Sequence, residues 1–126
     1  MSLSTMPFDS LSKFTDKVMR GTLLGLTTRI IVRSPVDTGR FRNNWFASFG
    51  SPSSKTTGSA DKSGSKAMAA TQAAIGELQA GQTFYLTNNL PYSLPLEYGS
   101  SKQAPNGMLR ISVAEVQRAI DSQVVR

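Results

Sequence analysis

Apolar and polar positions in the first third of the chain follow a helical period. From Phe8, the residues Leu11, Phe14, Val18 and Leu26 recur at three- and four-residue spacings with Met19, Leu23 and Ile30 beside them, and Ser12, Lys13, Asp16, Lys17 and Arg20 fall between. This pattern predicts a long amphipathic helix. Pro7 suits its first turn and Pro35 stops it. Gly21 and Gly25, four residues apart, leave one smooth strip on it, a candidate surface for subunit packing.

The period then changes. In Phe41–Phe49 the odd positions place Phe41, Trp45, Ala47 and Phe49 on one face, interrupted by Asn43, with Arg42, Asn44 and Ser48 on the other. This predicts a first strand with one face in the core and one in water. Val36-Asp37-Thr38-Gly39 before it is a turn signal. A second strand is expected over Thr83–Asn88, where Phe84 and Leu86 alternate with polar neighbours.

Between the strands, residues 51–66 hold six serines, two threonines, two glycines and three lysines with no large apolar side chain. That composition predicts a flexible loop, and Lys55, Lys62 and Lys66 make it a mobile basic arm. Lys66–Ala80 reads as a short helix closed by Gly81. Asn88–Gly107, broken by Pro91, Pro95 and Pro105, is expected to be irregular. Leu109, Val113, Val116, Ile120 and Val124 predict a final helix packing by one face. The expected fold is α+β in one domain, residues 1–126: a small antiparallel or mixed β-sheet packed by a long N-terminal helix, a short middle helix and a C-terminal helix, with a long flexible loop after the first strand.

Composition narrows the chemistry. The 126 residues include no Cys and no His, which removes thiolate and imidazole ligands, Cys nucleophiles and the usual general base. The eight carboxylates are scattered without a suggestive pair, and no lysine has the apolar context that lowers its pKa for Ser-Lys catalysis. Little conventional active-site chemistry remains. The net charge of +6 suits an anionic partner, yet Lys13, Lys17, Arg20, Arg29 and Arg33 spread around the first helix rather than forming a stripe. No apolar run reaches the roughly 18 residues that span a bilayer, and the N-terminus lacks a signal-peptide pattern, so a soluble cytoplasmic chain without a membrane partner is expected.

Two motifs are sharper than composition. Ser34-Pro35-Val36-Asp37-Thr38-Gly39-Arg40-Phe41-Arg42-Asn43-Asn44-Trp45 joins helix stop, turn and strand. Leu86-Thr87-Asn88-Asn89-Leu90-Pro91-Tyr92, continuing through Leu96-Glu97-Tyr98-Gly99 to Lys102-Gln103-Ala104-Pro105-Asn106-Gly107-Met108, joins the second strand to the last helix. Each is explicable as loop architecture. In combination, from about Pro35 to about Val116 and omitting the serine-rich loop, they resemble the neck and tail-completion (minor tail) proteins of long-tailed double-stranded DNA phages.

The resemblance implies a non-enzymatic virion protein, made in the host bacterial cytoplasm, that forms a homo-oligomeric and commonly hexameric ring at the head–tail joint. Its implied partners are itself, the neighbouring head-closure or connector proteins and the tail-tube or tail-terminator proteins. The resemblance also implies no enzyme activity, no cofactor, no metal and no small-molecule substrate. Tail-terminator and head-closure rings are close alternatives, and a basic DNA-contacting module is a further one.

A ring built head-to-tail needs two different complementary surfaces on each subunit. The 88–107 segment is the candidate for one, with Tyr92 and Tyr98 as amphipathic anchors. Glu97 is expected to pair with Arg40 or Arg42, within or across subunits. The arm carrying Lys55, Lys62 and Lys66 is expected to dock on a neighbouring ring or to face DNA in the channel.

Overall fold

A computed structural model describes residues 2–4, 16–79 and 81–124. The chain is α+β, as the periods require. Strand β1 is Ser2–Ser4, helix α1 Asp16–Arg33, β2 Trp45–Phe49, α2 Ser65–Gly76, β3 Phe84–Asn88, α3 Ser93–Glu97 and α4 Leu109–Val124. The sheet is antiparallel in the order β1-β3-β2, with Trp45 opposite Asn88 and Phe49 opposite Phe84.

The core lies between one face of this sheet and the helices. Leu23, Leu26, Ile30 and Ile31 of α1 and Ile75 of α2 pack with Trp45, Phe84 and Leu86 of the strands, and Met108 and Val116 close it from the α4 side. Polar residues buried on the helices satisfy themselves locally: the hydroxyls of Thr27, Ser34 and Thr71 donate to the carbonyls of Leu23, Ile30 and Ala67 at 2.8–2.9 Å. The Trp45 indole N–H donates to the Ser34 hydroxyl oxygen at 2.7 Å, which joins the end of α1 to the sheet.

Several boundaries differ from the sequence expectation. The expected start of α1 at Phe8, with Pro7, Leu11 and Phe14, lies outside the described residues, as do Ala80 and the side chains of Ile120 and Val124. Val18 is exposed rather than part of the core stripe, and Ile31, not expected there, is fully buried. The first strand begins at Trp45, because Arg42–Asn44 form a 3-10 turn that lets Phe41, Asn43 and Asn44 all point inward. Asn44, assigned to the wet face, is wholly buried. Its side-chain amide donates to Arg40 O and Thr57 O, and its side-chain oxygen accepts from the Thr57 N–H, so a peptide group of the loop replaces water.

Helix α2 ends at Gly76 and not at Gly81. Glu77 and Leu78 close it with tight bonds to Ala74 O and Ile75 O, and Gly81 takes positive φ in the turn before β3. The 88–107 segment is not wholly irregular, since α3 forms within it. Pro95 is tolerated in the first turn of α3, where a backbone N–H has no helical partner. On α4, Val113 faces solvent and Ser112 is fully buried, since the Ser112 hydroxyl accepts from the Arg33 guanidinium on α1 at 3.1 Å.

Candidate functional site

The first motif holds the serine-rich loop. The Arg42 guanidinium donates to Val32 O and Ser34 O, the free carbonyls at the C-terminus of α1, and to Lys62 O of the loop. Gly39 has φ +92°, and a Cβ there would strike the backbone of Asp61 and Lys62, which crosses against it. The Asp61 N–H donates to Gly39 O at 3.2 Å. The Arg40 Nε–H donates to Thr57 O, the Asn43 amide to Ser59, and the Asn89 amide to Ser53 O and Lys55 O. Segment 51–64 therefore has no regular structure, as its composition implies, but it is fastened along its length instead of extending as a free arm. Ser65 and Lys66 belong to α2.

The second motif is organised by Glu97. Its side chain is nearly buried at 6% exposure, and its oxygens accept from the N–H groups of Met108, Leu109 and Arg110 at 2.8–3.0 Å, and from Arg110 Nε at 3.1 Å. Burial pushes this carboxyl up, but the three N–H groups at the start of α4 and the guanidinium outweigh it and hold the group below its ordinary value. The Arg110 guanidinium lies 4.9 Å from the centre of the exposed Tyr98 ring. The expected pairing of Glu97 with Arg40 or Arg42 is thus corrected: Arg110 is its partner, Arg40 and Arg42 are engaged by carbonyls, and Glu97 caps a helix inside the subunit. Gly107 at φ +79° makes this approach possible, because a Cβ would overlap the Glu97 carbonyl and carboxylate oxygens.

The two motifs meet through Gln103. Its side-chain oxygen accepts from the Val36 N–H at 2.9 Å and its amide donates to Val36 O at 3.0 Å, a two-bond clasp across 67 positions. Beside it the Phe41 and Tyr92 rings lie 5.9 Å apart. An open groove of about 500 Å3 lies between the motifs, lined by Val36, Thr38, Arg40, Tyr92, Leu96 and Gln103 among others. Tyr92 on its wall is 40% exposed, and Leu94 and Tyr98 of the same segment are 53% and 71% exposed.

Of the candidate residues, Arg40, Tyr92, Tyr98, Lys55, Lys62 and Lys66 are exposed, whereas Arg42 is half-buried and Glu97 buried. Lys55 and Lys66 line a second groove together, away from Tyr92 and Tyr98. Asn44, Gln103, Arg110 and Asp61 were not singled out from sequence. Only Asp61 carried a readable signal, a carboxylate just before a helix start. Gly25 has the Arg29 guanidinium against its backbone, while the space beside Gly21 is open. Among the described residues no three His, Cys, Asp or Glu side chains gather as a metal site, and no helix is long and apolar enough to cross a membrane. Compared with protein-family models, with curated proteins and with solved structures, the chain matches none of them.

Proposed function

We propose that the chain is a structural subunit of a phage virion that assembles with copies of itself into a ring at the head–tail joint, between capsid connector and tail. The motif combination supports the class. The observation that carries the reading is the way the two motifs are used: most of their polar side chains hold backbone in place, while Tyr92, Leu94 and Tyr98 of the 88–107 segment stay exposed at the surface. Such a surface, with aromatic anchors on a rigid base, is suited to subunit contact and carries no arrangement of groups for bond-breaking chemistry.

In this role Tyr92 and Tyr98 keep the part assigned to them, and Leu94 joins them. Glu97 and Arg42 act within the subunit, by holding the second and first motifs in shape. Neighbouring partners are the head-closure or connector proteins on one side and tail-tube or tail-terminator proteins on the other.

Electron microscopy of purified particles with mass measurement of the assembled protein tests the reading, with a ring at the joint as the expected result. The double variant Leu94→Ser and Tyr98→Ser should remain a folded monomer, because both side chains are exposed, and should fail to form rings. Detection of the protein elsewhere in the particle, or undiminished ring formation by the variant, would exclude this role or this surface respectively.

A further inference from the structure

The sheet has an open side at β2. The Gly50 N–H donates to Thr83 O at 2.9 Å, and this pair continues the register that sets Trp45 opposite Asn88 and Phe49 opposite Phe84. Antiparallel pairs alternate between those that exchange ladder bonds and those that do not. Phe46, Ser48 and Gly50 therefore turn their backbone groups toward β3. The N–H and C=O groups of Ala47 and Phe49 point the other way, to the side of β2 where no described strand lies, whereas Trp45 is buried where the 3-10 turn meets the strand.

Exposed edges are commonly blunted by lysine, proline or a bulge, and Trp45-Phe46-Ala47-Ser48-Phe49 contains neither residue. Against this edge lies an open groove of about 470 Å3, lined by Phe46 and Ala47 of the strand, Ala67 and Ala70 of α2, and Lys55 and Lys66. The alanines leave room beside the strand. Both lysines are exposed, and among the described residues no salt bridge engages either ammonium group. Asp61, the acidic residue nearest Lys66 in the chain, is occupied by N–H and hydroxyl donors.

We propose that this edge accepts an extended, acidic segment of a partner protein, which adds as a strand beside β2 and directs its carboxylates to Lys55 and Lys66. Main-chain bonds to Ala47 and Phe49 supply affinity, and the lysines select charge. A nucleic acid matches the lysines but leaves the alternating N–H and C=O groups of the edge unmatched, so the peptide is the better complement. The inference concerns a groove separate from the exposed Tyr92 and Tyr98 and does not rest on the ring assignment.

The probe is a short end-capped peptide alternating valine and glutamate, added to the full chain and followed by amide hydrogen exchange and chemical shifts. The amides of Ala47 and Phe49 should gain protection. Ala47→Pro should abolish binding while retaining the β2–β3 pairing, since the Ala47 N–H makes no ladder bond. The double variant Lys55→Glu and Lys66→Glu, which alters exposed side chains only, should weaken binding roughly tenfold and decides the matter if the proline variant does not fold. No protection at these amides with millimolar peptide, undiminished binding by a folded Ala47→Pro variant, or undiminished affinity in the charge-reversed protein overturns the proposal. Displacement of the peptide by oligothymidylate that binds Ala47→Pro equally well overturns it in favour of nucleic acid.

Discussion

Two carboxylates stand at two helix starts, Asp61 before α2 and Glu97 before α4, and they do the same electrostatic work in different surroundings. Asp61 accepts from the hydroxyl and N–H of Ser63, the hydroxyl of Ser65 and the N–H of Lys66, all within five residues. The Ser63 hydroxyl first, then the Lys66 N–H, hold its carboxyl down to about 2. Glu97 accepts from groups 11–13 residues away and is almost sealed from water. Both are well bonded, but water replaces lost bonds at Asp61 and cannot easily do so at Glu97. Asp61 orders a turn, whereas Glu97 joins α3 to α4. The contrast teaches that the energetic weight of a cap follows what its partners would face without it, more than the number of its bonds.

The largest expected effect is therefore at Glu97. Glu97→Ala should cost about 3 kcal/mol in denaturant unfolding, since it strands the N–H groups of Met108, Leu109 and Arg110 together at the start of α4. Hydrogen exchange at Met108, Leu109 and Arg110 should accelerate. Glu97→Arg should disrupt the monomer itself, so loss of assembly in that variant says nothing about a subunit interface. A midpoint unchanged within error for Glu97→Ala would break the comparison at its root. Gly107→Ala comes next, at about 2 kcal/mol, because the new Cβ displaces the same carboxylate and the backbone is already at positive φ.

In the other region, Asn44→Ala should cost about 1–2 kcal/mol and release the loop, read as faster proteolysis within residues 51–60. Cleavage at the wild-type rate would mean that the remaining tethers from Arg40, Arg42, Asn43 and Asn89 suffice. Acid titration then sharpens the pair. Both carboxyls are depressed in the folded state, so their stabilisation is complete above the ordinary carboxyl values near ~4 and is lost as pH falls through the folded values, about 2 for Asp61. Unfolding midpoints measured from neutral pH down to that range should show a flatter acid limb in both Glu97→Gln and Asp61→Asn than in the wild type, since each variant removes a carboxyl depressed by folding. An acid limb as steep as the wild type's in either variant would contradict the depressed carboxyl at that site.

The smallest effect is expected at Glu115. It accepts a hydrogen bond from the Arg33 guanidinium at 2.9 Å and makes a second, ion-pair contact with it at 2.6 Å, and this pairing, ahead of its other neighbours, lowers the Glu115 carboxyl and raises the Arg33 guanidinium. About a third of each side chain remains exposed. Glu115→Gln should shift the melting temperature slightly at low salt and not at all at 1 M, by the screening of exposed pairs. A large, salt-independent shift would show that exposure is a poor guide to the weight of a charge in this fold.

Much of the fold was legible in sequence because hydrophobic period is a local property. Phe84 and Leu86 alternate as a buried strand face must, and Met19, Leu23, Leu26 and Ile30 keep the helical spacing that buries them. The misreadings fall where a polar side chain decides. Asn43 interrupts the apolar alternation because the chain turns as a 3-10 helix there, and Asn44 is buried by a loop peptide contributed from 13 residues on. At the candidate site, Tyr92 and Tyr98 were readable as half-apolar residues in a loop. The Gln103–Val36 clasp was not, since a glutamine in a polar turn has no pattern that names a partner 67 positions away.

Sequence alone determined the α+β class, the position of α4 and β3, the absence of Cys and His chemistry and the two motifs. Only tertiary structure decided that those motifs lock against each other, that the serine-rich loop is tied to the first of them, and that Glu97 serves α4 instead of an arginine across an interface. The reason is physical. Burial of apolar surface depends on which residue types recur at which spacing, and the chain carries that information itself. Buried polar groups must find particular donors and acceptors wherever the fold brings them, so their roles exist only once distant segments are side by side.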